Sequence, residues 1–216
     1  MSSDGLVDDA TLARSSVVAN NAMNRGRGLD SYRRELGVDP VASAGAGGWL
    51  DLCCGSGRAL IEAAGLVGDV PLVGVDLVDC FAPSAGRVDL LVASLSDWET
   101  DGRFDLITCV HGLHYVGDRL GLLARAATWL AEDGLLVADF DAAAVRDPSG
   151  QPWGRRLTGA LRAAGFDYDS RRRRVSLRGG RDVRLPYAYL GADAAAGPNY
   201  TGQEAVHAHY AFVATP

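Results

Sequence analysis

Residues 51–57 read Asp51-Leu52-Cys53-Cys54-Gly55-Ser56-Gly57. The apolar pair Trp49-Leu50 precedes them, and in residues 58–66 Leu60, Ile61 and Ala64 recur at helical spacing. A strand, a glycine-bearing turn and a helix in this order make a loop that can pass close to a ligand, because glycine lacks a Cβ and tolerates positive φ. In open α/β sheets ligands bind beyond the carboxyl ends of the strands. This loop is therefore where a site is expected first.

Downstream, four more apolar runs at residues 71–76, 88–93, 104–110 and 134–140 read as strands, with an amphipathic helix over residues 118–130. Continuous apolar strands alternating with helices predict an α/β fold, a doubly wound and mostly parallel sheet with helices on both faces. Upstream, a polar helical stretch spans residues 11–24 and a shorter one residues 31–36. Pro40 and the Ala/Gly/Ser run 42–48 read as a linker. Residues 153–164 read as a helix. Strand-like runs at 172–177 and 182–190 flank Arg178-Gly179-Gly180-Arg181 and predict a hairpin. A loop over 191–202 leads to a last strand at 205–213. The expected organisation is one domain, 1–216. It comprises an N-terminal helical segment (1–48), a ligand-binding core (49–141) and a C-terminal helix with β-rich structure (142–216).

The chain has 216 residues and a formal net charge of -6, and all 21 basic residues are arginine. The missing lysines record a GC-rich genome and point to a bacterial source. The acidic balance argues against nucleic acid as a partner, since such proteins present a basic face. The run Arg171-Arg172-Arg173-Arg174 reads as a solvated strand or turn surface, with a patch for an acidic ligand as the other reading. No apolar run reaches the roughly 20 residues that span a bilayer. The N-terminus has no secretory pattern, so a cytoplasmic location without membrane association is expected. Cys53, Cys54, Cys80 and Cys109 show no C-x-x-C spacing and read as free thiols.

Charge narrows the ligand. A pyrophosphate on a helix N-terminus disfavours a nearby anion, whereas Asp51 at the entry to the loop favours a cationic ligand. A third glycine is also lacking, since Leu60 follows where the dinucleotide fingerprint would continue. Asp76 ends the second strand 21 residues after Gly55, the position from which a carboxylate accepts from ribose hydroxyls. Together these favour an adenosine-type cationic cofactor over NAD.

The segments 50–57, Gly74-Val75-Asp76, Phe104-Asp105-Leu106-Ile107 and 130–136 resemble the class I S-adenosylmethionine-dependent methyltransferases, over about residues 49–141. The resemblance implies a seven-stranded Rossmann-like sheet of order 3-2-1-4-5-7-6 with an antiparallel seventh strand, a role the last strand of this chain would fill. It implies S-adenosylmethionine as cofactor and S-adenosylhomocysteine as product. Carried over by position, Asp51, Cys53, Gly55 and Gly57 line the methionine end, Asp76 holds the ribose, and Leu77 flanks the adenine. Ser94, beside Leu95, stands where the family usually has an aspartate; its hydroxyl still accepts a hydrogen bond. Val110 closes the fourth strand beside the cofactor. Residues 1–48 would form a helical lid, with Arg25 on the cofactor carboxylate and Tyr32 covering the site.

Methyl transfer mainly requires that the acceptor be positioned and its proton removed. The turn after the fourth strand carries His111, His114 and Tyr115. His111 stands where a general base is wanted, a histidine's reference pKa of about 6.5 being near working pH; packing at the strand end is the other reading. His114 is a second candidate base or a structural group, and Tyr115 a pocket wall. Asn199 and Tyr200, in the loop 197–201, are candidates for the acceptor pocket. His207 and His209 alternate on one strand face and read as surface or packing groups. No Asn-Pro-Pro-Tyr or Asp-Pro-Pro-Tyr motif follows the fourth strand, which disfavours nucleobase or glutamine nitrogen. Asp139 and Asp141 show no third metal partner, so no metal is expected and they read as a polar rim.

The leading expectation is methylation of a small molecule, at a hydroxyl oxygen, in bacterial natural-product biosynthesis, with a homodimer left open. An S-adenosylmethionine-binding cyclase or pericyclase of the same fold would consume no methyl group. A non-catalytic partner subunit would not need an intact Asp51, Gly55, Gly57 and Asp76. An NAD oxidoreductase would bind nicotinamide cofactors.

Overall fold

The computed structural model describes residues 5–19, 26–84 and 86–213. Its centre is β1, Trp49–Leu52, in which all four residues are buried. Side chains alternate across a strand, so Trp49 and Asp51 face one side of the sheet while Leu50 and Leu52 face the other. Each side has its own apolar cluster. Trp49, Leu106 and Val137 pack on Leu29, Tyr32 and Leu36 and on Leu60 and Ala63. Leu50, Ile107 and Leu136 pack on Leu122, Leu123 and Leu161.

Around β1 the strands are β2 (Leu72–Asp76), β3 (Asp89–Val92), β4 (Phe104–Cys109) and β5 (Leu130–Asp139), all parallel. β5 begins four residues earlier than the apolar run, and its register with β4 shifts between Phe104 and Leu106. Past a two-residue strand β6 (Val145–Arg146), β7 (Asp167–Asp169) and β8 (Arg174–Arg178) complete a seven-stranded sheet of order β3-β2-β1-β4-β5-β8-β7. Without β6 this is the 3-2-1-4-5-7-6 order.

Two expectations about the tail fail. The antiparallel strand beside β5 is β8, paired from Leu135↔Arg178 to Asp139↔Arg174, and not the last strand. The predicted hairpin also splits, because β8 and β9 (Tyr187–Asp193) lie in different sheets. β9 pairs antiparallel with β10 (His207–Phe212), and β6 completes a second sheet of order β6-β10-β9. Both tail strands have strand-like composition, and composition does not name a partner.

Five helices flank this frame. α3, Leu29–Leu36, buries Leu29, Tyr32 and Leu36 at spacings of three and four, and stops at Gly37 with φ 69°. α4, Pro40–Ser43, occupies part of the expected linker, with Pro40 at its first turn and Asp39 capping it through Val41 N. α5 (Arg58–Ala64) follows the glycine loop, α6 (Arg119–Thr128) precedes β5 and α7 (Arg155–Ala163) precedes β7. The predicted helix at 11–24 is two short ones, α1 (Asp9–Leu12) and α2 (Ser16–Ala19), and its remainder falls on residues 20–25, outside the described residues. Val7 bridges Ala192 of β9, and Tyr189 Oη donates to Asp9 at 2.8 Å, tying this segment to the second sheet. Among the described residues no helix is long and apolar enough to cross a membrane.

Candidate active site

The carboxyl ends of β1, β2 and β4 open onto one groove formed by two adjoining cavities. Cys53, Leu77, Tyr115 and Val18 border both. The cavity of about 490 Å³ is bounded by Gly55, Asp76, Val110, His111 and Gly112. That of about 470 Å³ is bounded by Ser94, Leu95 and Ser96 and roofed by Asp9, Leu12 and Ala13 of the N-terminal segment. The structure thus brings together Cys53, Gly55, Asp76, Leu77, Ser94, Leu95, Val110, His111 and Tyr115 of the sequence candidates.

Gly57 stands apart from the groove. It caps α5 with φ 70°, and a Cβ there would meet Leu90 of β3 at 2.6 Å. Gly112 is equally constrained, since a Cβ would lie 2.3 Å from Cys53 Cβ and 2.7 Å from Cys109 Sγ. Gly112→Ala is therefore expected to push the β1 and β4 loops apart and cost about 1–3 kcal/mol of stability, read as a drop in thermal midpoint. A midpoint equal to that of the wild type would contradict this packing.

Asp51 does not line the groove, contrary to the sequence reading. It shares the pleat face of Trp49 and is fully buried. Its Oδ2 accepts from Tyr32 Oη at 2.7 Å and its Oδ1 from Thr108 Oγ1 at 2.6 Å, while Trp49 Nε1 donates to the same Thr108 hydroxyl at 2.7 Å. Burial pushes the Asp51 carboxyl up to about 7, against the hydrogen bonds from Thr108 and Tyr32. Tyr32 is likewise 3% exposed and packed edge-on against Trp49, so it links α3 to β1 and does not border the groove. Arg25 lies outside the described residues.

Asp76 borders the groove where a ribose carboxylate is wanted. Its Oδ2 accepts from Gly55 N at 2.9 Å and its Oδ1 from Val78 N at 3.0 Å, which fixes the glycine loop to the end of β2. Asp9 and Asp76 are the charged lining groups, and no arginine borders either cavity among the described residues. The two carboxylates favour a cationic group such as a sulfonium and offer acceptors to ligand hydroxyls, which fits S-adenosylmethionine. The Cys53 thiol is held well above its ordinary range by its contact with Cys109 and by burial, so it is a neutral wall.

His111 lies at the far end of the groove. It is held in left-handed backbone at φ 57°, an uncommon state for a residue with a Cβ. Its N–H donates to Asp139 Oδ2 at 3.1 Å. The ring Nε2 is 2.6 Å from Glu35 Oε2 and 3.6 Å from Asp139 Oδ2. Glu35 Oε1 also accepts from Ser31 at 2.7 Å and pairs with Arg27. Burial works to raise the Glu35 carboxyl, but the bonds from His111 and Ser31 and the Arg27 charge prevail and hold it at about 2. Asp139 is raised by burial. Glu35, His111 and Asp139 each offer one ligand atom, all within 4.8 Å of one another, so Asp139 has the third partner its sequence neighbours did not show. Arg27 already neutralises Glu35, and the arrangement reads as a hydrogen-bonded relay with the His111 ring at its centre.

Glu35 was missed in the sequence because it lies 76 residues from His111. A signal existed: Tyr32 and Glu35 are three apart on α3 and so share a face. His114 is a poor candidate base. It is 1% exposed, and burial and the Arg119 charge push it down to about 3. Its ring sits 5.7 Å from that of His111 and 5.5 Å from that of Tyr200. Asn199 and Tyr200 border a separate cavity behind His114, away from the groove.

Residues 29–173 match the family described as "Methyltransferase domain". The match runs from α3 to the β7–β8 turn and leaves out the N-terminal roof, β8, and β9 and β10 of the second sheet. No curated protein matches the chain. Among solved structures, the plantazolicin methyltransferase BpumL, in complex with a pentazolic desmethylPZN analog and SAH, is 16% identical with a TM-score of 0.41, covering 51% of this chain and 42% of that one. Coclaurine N-methyltransferase is 19% identical with a TM-score of 0.38, covering 51% and 34%. The N-methyltransferase NodS from Bradyrhizobium japonicum WM9, in complex with S-adenosyl-L-homocysteine, is 17% identical with a TM-score of 0.47, covering 80% and 98%. The chain's alignment thus spans less than half the length of the first two. With two thirds of its length in the match, this chain belongs to the family of S-adenosylmethionine-dependent methyltransferase domains.

Proposed function

We propose that the protein transfers a methyl group from S-adenosylmethionine to a small-molecule hydroxyl, with His111 as general base. The observation that carries this reading is the groove itself, which runs from Ser94 past Asp76 and Gly55 to His111. The bound cofactor supplies a methyl group on a positively charged sulfur, which leaves as a neutral thioether. In this reading the Asp76 carboxylate accepts from the ribose hydroxyls, Gly55 and Cys53 border the methionine end, and Leu77, Ser94 and Leu95 the adenine. Asp9, Leu12 and Ala13 exclude water above it.

At the acceptor, His111 takes the hydroxyl proton as the oxygen bonds to carbon. Glu35 holds Nε2, so Nδ1, which has no hydrogen-bond partner among the described residues, is the nitrogen open to that proton. The ionised Glu35 then stabilises the imidazolium. Asp139 fixes the backbone from which the ring projects. The segment 142–213 forms the acceptor side of the same catalytic unit.

Mass spectrometry of a panel of hydroxyl, amine and activated-carbon acceptors incubated with S-adenosylmethionine tests the reading. Gain of one methyl on hydroxyl members with equimolar S-adenosylhomocysteine is expected. Acceptor conversion with the cofactor left intact would favour the cyclase-type reading instead. Glu35→Gln should lower kcat by about 10- to 100-fold with little change in S-adenosylhomocysteine affinity; unchanged kcat would remove Glu35 from the relay.

A further inference from the structure

Behind His114 lies a further cavity that the cofactor groove does not include. It opens on the same edge of the main sheet, beyond the end of β5. Its walls come from four places: Asp141 and Arg146 after β5, Arg173 in the β7–β8 turn, the loop carrying Asn199 and Tyr200, and His207 of β10. His114 forms the partition, its ring close to both His111 and Tyr200.

What distinguishes this cavity is its store of unused donors. Arg146 Nε, Arg173 Nη1, Asn199 Nδ2 and His114 Nε2 are all buried atoms without a hydrogen-bond partner among the described residues. Arginine and amide nitrogens can only donate, and buried polar groups in native proteins are nearly always paired. Three such donors around one cavity, with a neutral histidine whose Nε2 donates in one tautomer, mark a place built for an acceptor-rich group. Charge agrees with this. Arg146 and Arg173 bring two guanidiniums against the single Asp141 carboxylate, one oxygen of which already accepts from Ala143 N at 3.1 Å. His207 lies 3.2 Å from Arg146 Nη2 and is pushed down to about 4 by burial and by Arg146, so it accepts from the arginine and competes with no ligand. Arg173 is held over the Tyr200 ring at 3.9 Å by a left-handed backbone, φ 48°, a strained state of the kind kept at ligand clamps.

We infer that this cavity anchors the methyl acceptor through an oxyanion, a carboxylate or phosphate, received by Arg146, Arg173, Asn199 and His114. The planar fork of arginine suits either group. The inference rests on the proposed methyl transfer for the identity of the ligand as acceptor, but oxyanion binding is measurable without turnover.

The test is ligand-observed NMR titration of the full chain with benzoate, inorganic phosphate and neutral benzamide, with and without S-adenosylhomocysteine. Benzoate or phosphate should bind at least about tenfold more tightly than benzamide. Arg146→Gln and Arg173→Gln should each weaken the oxyanion about tenfold while S-adenosylhomocysteine affinity holds. Should either variant lose its thermal transition, Arg146→Lys and Arg173→Lys keep the charge and should retain oxyanion binding. Preference for benzoate assigns a carboxylate and preference for phosphate a phosphorylated acceptor. Equal binding of benzoate and benzamide, oxyanion affinity indifferent to both Gln substitutions, or oxyanion binding lost in folded Lys variants would overturn the inference. Failure to bind S-adenosylhomocysteine with oxyanion binding intact would count against the proposed function and not against this subsite.

Discussion

His111→Ala is expected to lower methyl transfer by about 10²- to 10⁴-fold while leaving S-adenosylhomocysteine affinity nearly unchanged. The separation follows from where the ring sits. His111 borders the groove at one end only, whereas Asp76, Leu77 and Ser94 bound the rest. Its backbone N–H bond to Asp139 survives the substitution, so the turn keeps its shape. Removal of the ring deletes the proton acceptor and strands Glu35 beside Arg27, an ion pair that stands on its own. Single-turnover rates with the acceptor found by mass spectrometry, together with cofactor titration, measure both quantities. Full turnover in the alanine variant would reduce His111 to a strand-end packing group.

The second large effect concerns stability. The Asp51 carboxyl has a folded pKa of about 7 against an ordinary value of 3.8. A raised acid binds its proton more tightly when folded. This group therefore favours the folded state fully below about pH 4, and that contribution is lost as pH rises toward 7. The span is roughly three pKa units, on the order of 4 kcal/mol. Asp51→Asn carries no titrating group, so urea denaturation of both proteins between pH 4 and 8 should show the wild type losing stability relative to the variant across that window. Parallel profiles would mean that Asp51 is ionised throughout. Glu35 works in the opposite sense, since its lowered carboxyl stabilises above about pH 4.5 and that contribution fades as pH falls toward 2. Its window lies below that of Asp51.

The parallel half of the sheet was legible because most residues of β1, β2, β4 and β5 are buried and apolar. The antiparallel edge was not. Residues 174–178 and 207–212 have similar patterns, and only tertiary pairing with β5 distinguishes them. The groove residues were legible where the backbone places them, at strand ends: Gly55, Asp76, Ser94 and His111. Asp51 shows the limit. Its position in the motif suggested a ligand contact, but the two-residue period of the strand puts it with Trp49, beneath α3. Applied to Trp49-Leu50-Asp51-Leu52, that period would have paired it with a helix. Glu35 was marked only by sharing a face of α3 with Tyr32, and the arginines of the rear cavity depend on contacts between elements dozens of residues apart, for which one sequence holds no record.

The central claim is that the groove holds a cationic adenosyl cofactor. Calorimetric titration of the full chain with S-adenosylmethionine, S-adenosylhomocysteine and NAD tests it most directly. The structure predicts saturable one-to-one binding of both sulfur ligands, weakened at least about tenfold by Asp76→Ala, and no heat from NAD. Binding of NAD, or silence with both sulfur ligands, would contradict it.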